Sequence, residues 1–127
     1  MAEQNGHTPF SWRARLQSFR YALAGLRVLL GSQHNARIHA AATVAVVIAG
    51  TVCRLRSAEW ALVLLAIGMV WALEAVNTAI ELLADEVSPE ERPRIGRAKD
   101  VAAFGVLAAA LAAVAIGLLV FLPRLFA

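Results

Sequence analysis

A chain of 127 residues that is 60% hydrophobic, with a mean hydropathy of +0.65, falls outside the range of soluble domains and has room for one domain only. Its net charge of +3 and sequence pI near 10.0 suit anionic lipid headgroups better than nucleic acid, because the basic residues hug the ends of apolar segments. The single cysteine, Cys53, excludes an internal disulfide, has no Cys or His partner at zinc spacing, and reads as a packing residue.

Residues 1–9 are expected to be disordered. No apolar core followed by a small-residue cleavage site marks the first 37 residues as a signal peptide, so the chain is expected to stay whole. From about 10 to 30, Trp12, Leu16, Phe19, Leu23, Leu26 and Leu30 recur at spacings of four and three, flanked by Arg13, Arg15, Arg20 and Arg27. This pattern predicts an amphipathic helix lying in the headgroup plane, apolar face down; packing as a fourth bundle member is a compatible reading. Three apolar segments follow, at 38–53, 60–84 and 101–122. A span needs about 20 residues, so the first helix is extended back into polar sequence and the predicted spans are about 34–53, 59–85 and 98–122. Pro89 and Pro93 punctuate a short loop, with no repeat, low-complexity tract or linker elsewhere. The expected fold is thus an all-α membrane protein, one surface helix plus three transmembrane helices forming a single domain over 10–127. Nine of the twelve basic residues fall in 1–37 and 85–100, against Arg54, Arg56 and Arg124 on the other side, which predicts a cytoplasmic N-terminus and a cytoplasmic loop between the last two spans.

Within the second span, Glu74, Asn77, Thr78, Glu81 and Asp85 fall within about 100° of one another and form one polar stripe. Ionisable groups in a membrane-length segment cost about 2.5–3.5 kcal/mol each on insertion scales, which points to function; the alternative is pairing with neighbouring helices to fix packing. A second polar cluster, Gly96, Arg97, Ala98, Lys99 and Asp100, returns by three-span topology to the membrane face of Glu81 and Asp85. Lys99 and Arg97 are suited to phosphate oxygens and Glu81 to a divalent cation, since magnesium takes one or two carboxylates plus substrate phosphates; the plainer reading is an interfacial helix cap. A third cluster, Gln33, His34, Asn35, Arg37 and His39, precedes the first span, with Asn35 and His39 one turn apart on one face. The chain carries no GxxxxGK[ST] loop, no glycine-rich kinase loop and no Gly-x-Ser-x-Gly elbow, so any phosphoryl transfer must use helix-borne carboxylates, a metal and basic residues.

Glu74-Ala-Val-Asn77-Thr-Ala-Ile-Glu81 followed by Gly96-Arg97-Ala98-Lys99-Asp100 resembles the signature of the small bacterial membrane lipid kinases, the prokaryotic diacylglycerol kinase and undecaprenol kinase family. Gly25-Leu26-Arg27, Asn35-x-Arg37-Ile38-His39, Ala58-Glu59-Trp60 and Phe121-Leu122-Pro123-Arg124 extend the likeness over nearly the whole chain from about residue 10, and the second and last of these look more like the undecaprenol kinase branch. The resemblance implies an ATP- and Mg2+-dependent homotrimeric kinase of the bacterial inner membrane that phosphorylates a lipid alcohol. Carried over by motif position, it makes Glu74 the general base, Glu81 and Gln33 the metal-binding pair, and Asn77 a residue positioning the reacting groups. It implies nucleotide contacts from Tyr21, Gln33, Asn77, Glu81, Lys99 and Asp100, and from the loop of Glu90, Glu91 and Arg92. It implies lipid contacts from Arg27, Asn35, Arg37, His39 and Glu74. Gln33 departs from the family pattern, which usually has glutamate there, and hard cations favour carboxylates. Undecaprenol as substrate leads, with diacylglycerol as the same chemistry on another lipid. A catalytically inactive lipid-binding protein is the reading that Gln33 motivates, and a small transporter using Glu74 is opposed by the Lys99-Asp100 pair.

Overall fold

The computed structural model describes residues 11–88, 90 and 92–126, so the expected disorder of 1–9 lies outside the described residues. Its elements are α1 (Trp12–Ser32), α2 (His34–Val52), α3 (Ser57–Val87) and α4 (Pro93–Leu125), with no strand among the described residues. The last three are long and apolar enough to cross a membrane, as the sequence predicts. Helix α4 starts earlier than the expected 98 because Pro93 occupies its first turn, where a missing N–H costs nothing.

Ser11 caps α1, accepting the Ala14 N–H at 3.5 Å. The helix ends at Gln33, whose extended backbone (φ −106, ψ 121) also begins α2, so one residue separates the two. Arg37 reaches back from α2 and donates to the carbonyls of Leu30 (2.9 Å) and Gly31 (2.7 Å), two of the acceptors that a helix C-terminus leaves open. This clamp sets how α1 departs from the bundle. The stripe of Trp12, Leu16 and Phe19 stays exposed, uncovered by the other helices, as an interfacial helix requires.

At its other end α2 closes with a Schellman turn. Arg54 N–H donates to Thr51 O at 3.1 Å and Leu55 N–H to Gly50 O at 3.0 Å, with Arg54 in the left-handed region at φ 50. Leu55 then turns inward to join Val63 and Val120 in a buried cluster under Trp60 and Phe121. Gly50 lets the Trp60 ring come close: a Cβ there would lie 2.8 Å from it. Arg124 locks this end, donating to Cys53 O at 2.7 Å and pairing with Glu59, which itself accepts the Arg56 N–H at 2.7 Å as the capping residue of α3. The Ala-Glu-Trp and Phe-Leu-Pro-Arg elements, far apart in sequence, therefore form one latch joining α2, α3 and α4.

Two substitutions test this reading by thermal unfolding in detergent. Arg54→Gly relieves the left-handed strain and should stabilise the fold by about 1 kcal/mol. Gly50→Leu must displace Trp60 and should destabilise it by about 2 kcal/mol.

Candidate active site

Helix α3 carries the polar stripe at the end opposite the latch, and burial falls along it: Glu74 is 1% exposed, Asn77 and Thr78 are buried, Glu81 is half-buried and Asp85 is exposed. The register of α2 against α3 fixes what Glu74 faces. Trp71 Nε1 donates to Thr43 Oγ1 at 3.0 Å, and Thr43 Oγ1 donates to the His39 carbonyl at 2.7 Å. One turn along both helices, His39 Nε2 comes within 3.9 Å of Glu74 Oε2. That oxygen has no hydrogen-bond partner, which leaves a buried acceptor for another donor.

Glu81 is held from two sides. Gln33 Nε2, at the junction of α1 and α2, donates to Oε2 at 3.1 Å, and Asn77 Nδ2 donates to Oε1 at 3.2 Å. Asn77 Oδ1 is buried without a partner. The carboxylate of Glu81, with the amide oxygens of Asn77 and Gln33 once their side chains flip, offers hard-oxygen donors of the kind magnesium takes when substrate phosphates supply the rest. No group of three or more His, Cys, Asp or Glu converges among the described residues, at Glu81 or elsewhere. Gln33 contributes a donor to this carboxylate, and its own oxygen reaches the same place only by a flip of the amide.

Lys99 of α4 donates to Asp85 Oδ1 at 2.9 Å, so the two polar clusters meet as topology predicts. Between them opens a polar cavity lined by Asp85, Ser88, Glu90, Arg92, Lys99 and Asp100, its loop pinned by Ser88 Oγ donating to Glu90 O at 2.8 Å. Glu91 lies outside the described residues. Two apolar grooves flank α3: one between α1 and α3 includes Trp71, Ala75 and Thr78, and the other, between α2, α3 and α4, runs from His39 to Phe121.

Three groupings of predicted residues thus assemble: Glu74 with His39, Gln33 with Asn77 and Glu81, and Lys99 with Asp100, Glu90 and Arg92. Tyr21, Arg27 and Asn35 are exposed on α1 and α2 and join none of them, while Tyr21 accepts a hydrogen bond from Gln17 at 2.9 Å. Arg37 is engaged by the α1 carbonyls, and Arg97 is exposed outside the polar cavity. The Trp71–Thr43 bond that sets the register has no signal in sequence beyond two polar groups in apolar helices.

A buried carboxylate on an apolar helix, on one face with a half-buried carboxylate and a lysine-lined polar cavity, is an arrangement suited to phosphoryl transfer at a membrane face. Residues 20–121 match the prokaryotic diacylglycerol kinase family, and the chain belongs to it, as a lipid kinase. It is 39% identical over 109 residues to an undecaprenol kinase from Bacillus subtilis, covering 86% of this chain and 89% of that one. It is 40% identical over 111 residues to a diacylglycerol kinase from a Synechocystis species, covering 87% of this chain and 63% of that longer one.

The contact between Gln33 and Glu81 predicts how the site responds to charge. In Gln33→Glu two carboxylates would face each other across the same gap and repel until a cation lies between them. Addition of magnesium should therefore raise the thermal unfolding midpoint of Gln33→Glu more than that of the parent chain, measured by calorimetry in detergent.

Proposed function

We propose that this chain is an ATP- and magnesium-dependent kinase that converts undecaprenol to undecaprenyl phosphate at the cytoplasmic face of the bacterial plasma membrane, with its N-terminus cytoplasmic. The observation that carries the reading is Glu74: a nearly fully buried carboxylate with an unpaired oxygen, on a membrane helix flanked by apolar grooves, where a lipid is the natural proton donor. The grooves favour a polyprenol over diacylglycerol, because their walls offer few donors to ester carbonyls buried beside the reacting hydroxyl. The long coverage of the Bacillus undecaprenol kinase supports the same choice, and the Synechocystis relative keeps diacylglycerol as the second reading.

The lipid oxygen loses its proton to Glu74 and forms a bond to the γ-phosphorus as the bond to the bridging oxygen of ADP breaks. Lys99 leaves Asp85 to neutralise phosphate oxygens, with Asp100 and Arg92 beside it. Glu81, with the Asn77 and Gln33 oxygens after flips of both amides, would hold a magnesium ion, which when bound supplies charge neutralisation at the phosphates. The separation of Tyr21 and Arg27 from the assembled groups leaves both for the site of another copy of the chain, in the homotrimer that the family resemblance implies.

The test is label transfer from γ-labelled ATP in detergent micelles with magnesium, offering undecaprenol and dioleoylglycerol separately. Label in undecaprenyl phosphate is expected, with Glu74→Gln reduced about 10³-fold. Preference for dioleoylglycerol would change the substrate, and no label in either lipid from a folded protein would favour the inactive lipid-binding reading that Gln33 motivates.

A further inference from the structure

Serine and threonine hydroxyls inside helices ordinarily bond to the carbonyl four residues back. In this chain Ser18, Ser32, Thr43 and Thr51 do so, to Ala14, Val28, His39 and Val47, at 3.0, 2.7, 2.7 and 2.8 Å. Thr78 is the exception. It is 4% exposed, and its Oγ1 is buried with no partner, although the Glu74 carbonyl lies four residues back. An unsatisfied buried hydroxyl is a cost to folding, and valine would fill the same space without it.

The surroundings of Thr78 show what such a hydroxyl could meet. It lines the groove between α1 and α3, opposite Gly25, where a Cβ would have nothing within 4 Å. Trp71, the other polar side chain lining that groove, has its N–H spent on Thr43. One turn before Thr78 on the same face is Glu74, with its own unpaired Oε2. Side chains at this spacing have Cβ atoms about 5–6 Å apart, and an alcohol oxygen hydrogen-bonds at about 2.8 Å, so one such oxygen can lie within reach of both. The two orphans are chemically complementary to it. A carboxylate oxygen accepts and a threonine hydroxyl donates, and an alcohol offers one donor and two lone pairs.

We infer that Thr78 is a substrate-positioning residue, its hydroxyl donating a hydrogen bond to the oxygen of the lipid alcohol while Glu74 Oε2 accepts that oxygen's proton. The inference rests on the lipid-kinase reading and adds a second anchor to it. With both bonds made, a lone pair of the alcohol oxygen is left to attack phosphorus, and the C–O bond is held instead of rotating about a single contact.

The experiment compares Thr78→Val and Thr78→Ser with the parent enzyme, by steady-state kinetics on the accepted lipid alcohol and by thermal unfolding in the same detergent. Thr78→Val should lower kcat/KM for the lipid about tenfold, the worth of one hydrogen bond, and leave KM for ATP unchanged. It should also raise the thermal midpoint, because the unpaired hydroxyl is gone, and Thr78→Ser should restore activity. A merely structural hydroxyl would instead lose stability on removal. Thr78→Val with the parent's lipid kcat/KM, a lower midpoint or failure to fold, or a Thr78→Ser as impaired as Thr78→Val, would each overturn the inference. A parent protein that phosphorylates no lipid alcohol would overturn the kinase reading and this inference with it; an active parent with an unaffected Thr78→Val overturns this inference alone.

Discussion

Glu74 buries a carboxylate within an otherwise largely apolar stretch of α3, and the neighbouring elements are arranged around that burden. A charge so placed costs several kcal/mol if it is not answered by partners. His39 stands 3.9 Å away, set there by the Trp71–Thr43 bond that registers α2 on α3. The remaining polar groups on the same face grow wetter towards the helix end, so the stripe passes from a dry carboxylate to a solvated ion pair over three turns. That gradient suits a reaction whose two substrates arrive from different phases, an alcohol from the bilayer and a phosphate donor from water.

The two ends of the bundle answer different physical demands. At the Glu59 end Arg124 serves the Cys53 carbonyl and the Glu59 cap of α3 together, leaving its Nε as the one buried side-chain atom without a partner there among the described residues, and an apolar cluster closes beneath them. At the Glu81 end, polar atoms remain buried without partners at Glu74, Asn77 and Thr78. Native interiors tolerate few such orphans, and their concentration on a single helix face marks where stability has been given up to keep a site ready for ligands. The Glu59 end, with one such atom, holds the helices together, while the Glu81 end keeps three on one face.

Much of this was legible in the sequence, because helical geometry converts spacing into direction. The alignment of Glu74, Asn77, Thr78, Glu81 and Asp85 needs only 100° per residue, and the meeting of Asp85 with Lys99 needs only the count of spans. What stayed hidden depends on rotamers and on contacts distant along the chain. Nothing in the sequence says that Thr78 forgoes the bond that Thr43 and Thr51 make, or that Arg37 turns back on α1. The Arg124–Glu59 pair left a trace, opposite charges flanking spans on one side, but a trace shared with Arg54 and Arg56. The left-handed Arg54 contradicts the preference for glycine at such a turn, so residue type pointed away from it.

Gln33 does two things at once: its backbone is the single residue between α1 and α2, and its side chain meets Glu81. A tilt of helix α1 about its junction with α2 moves the backbone from which that amide reaches the carboxylate, while the side chain itself can turn with the junction still clamped by Arg37. The attitude of the surface helix and the hydrogen bonding of Glu81 therefore meet in one residue.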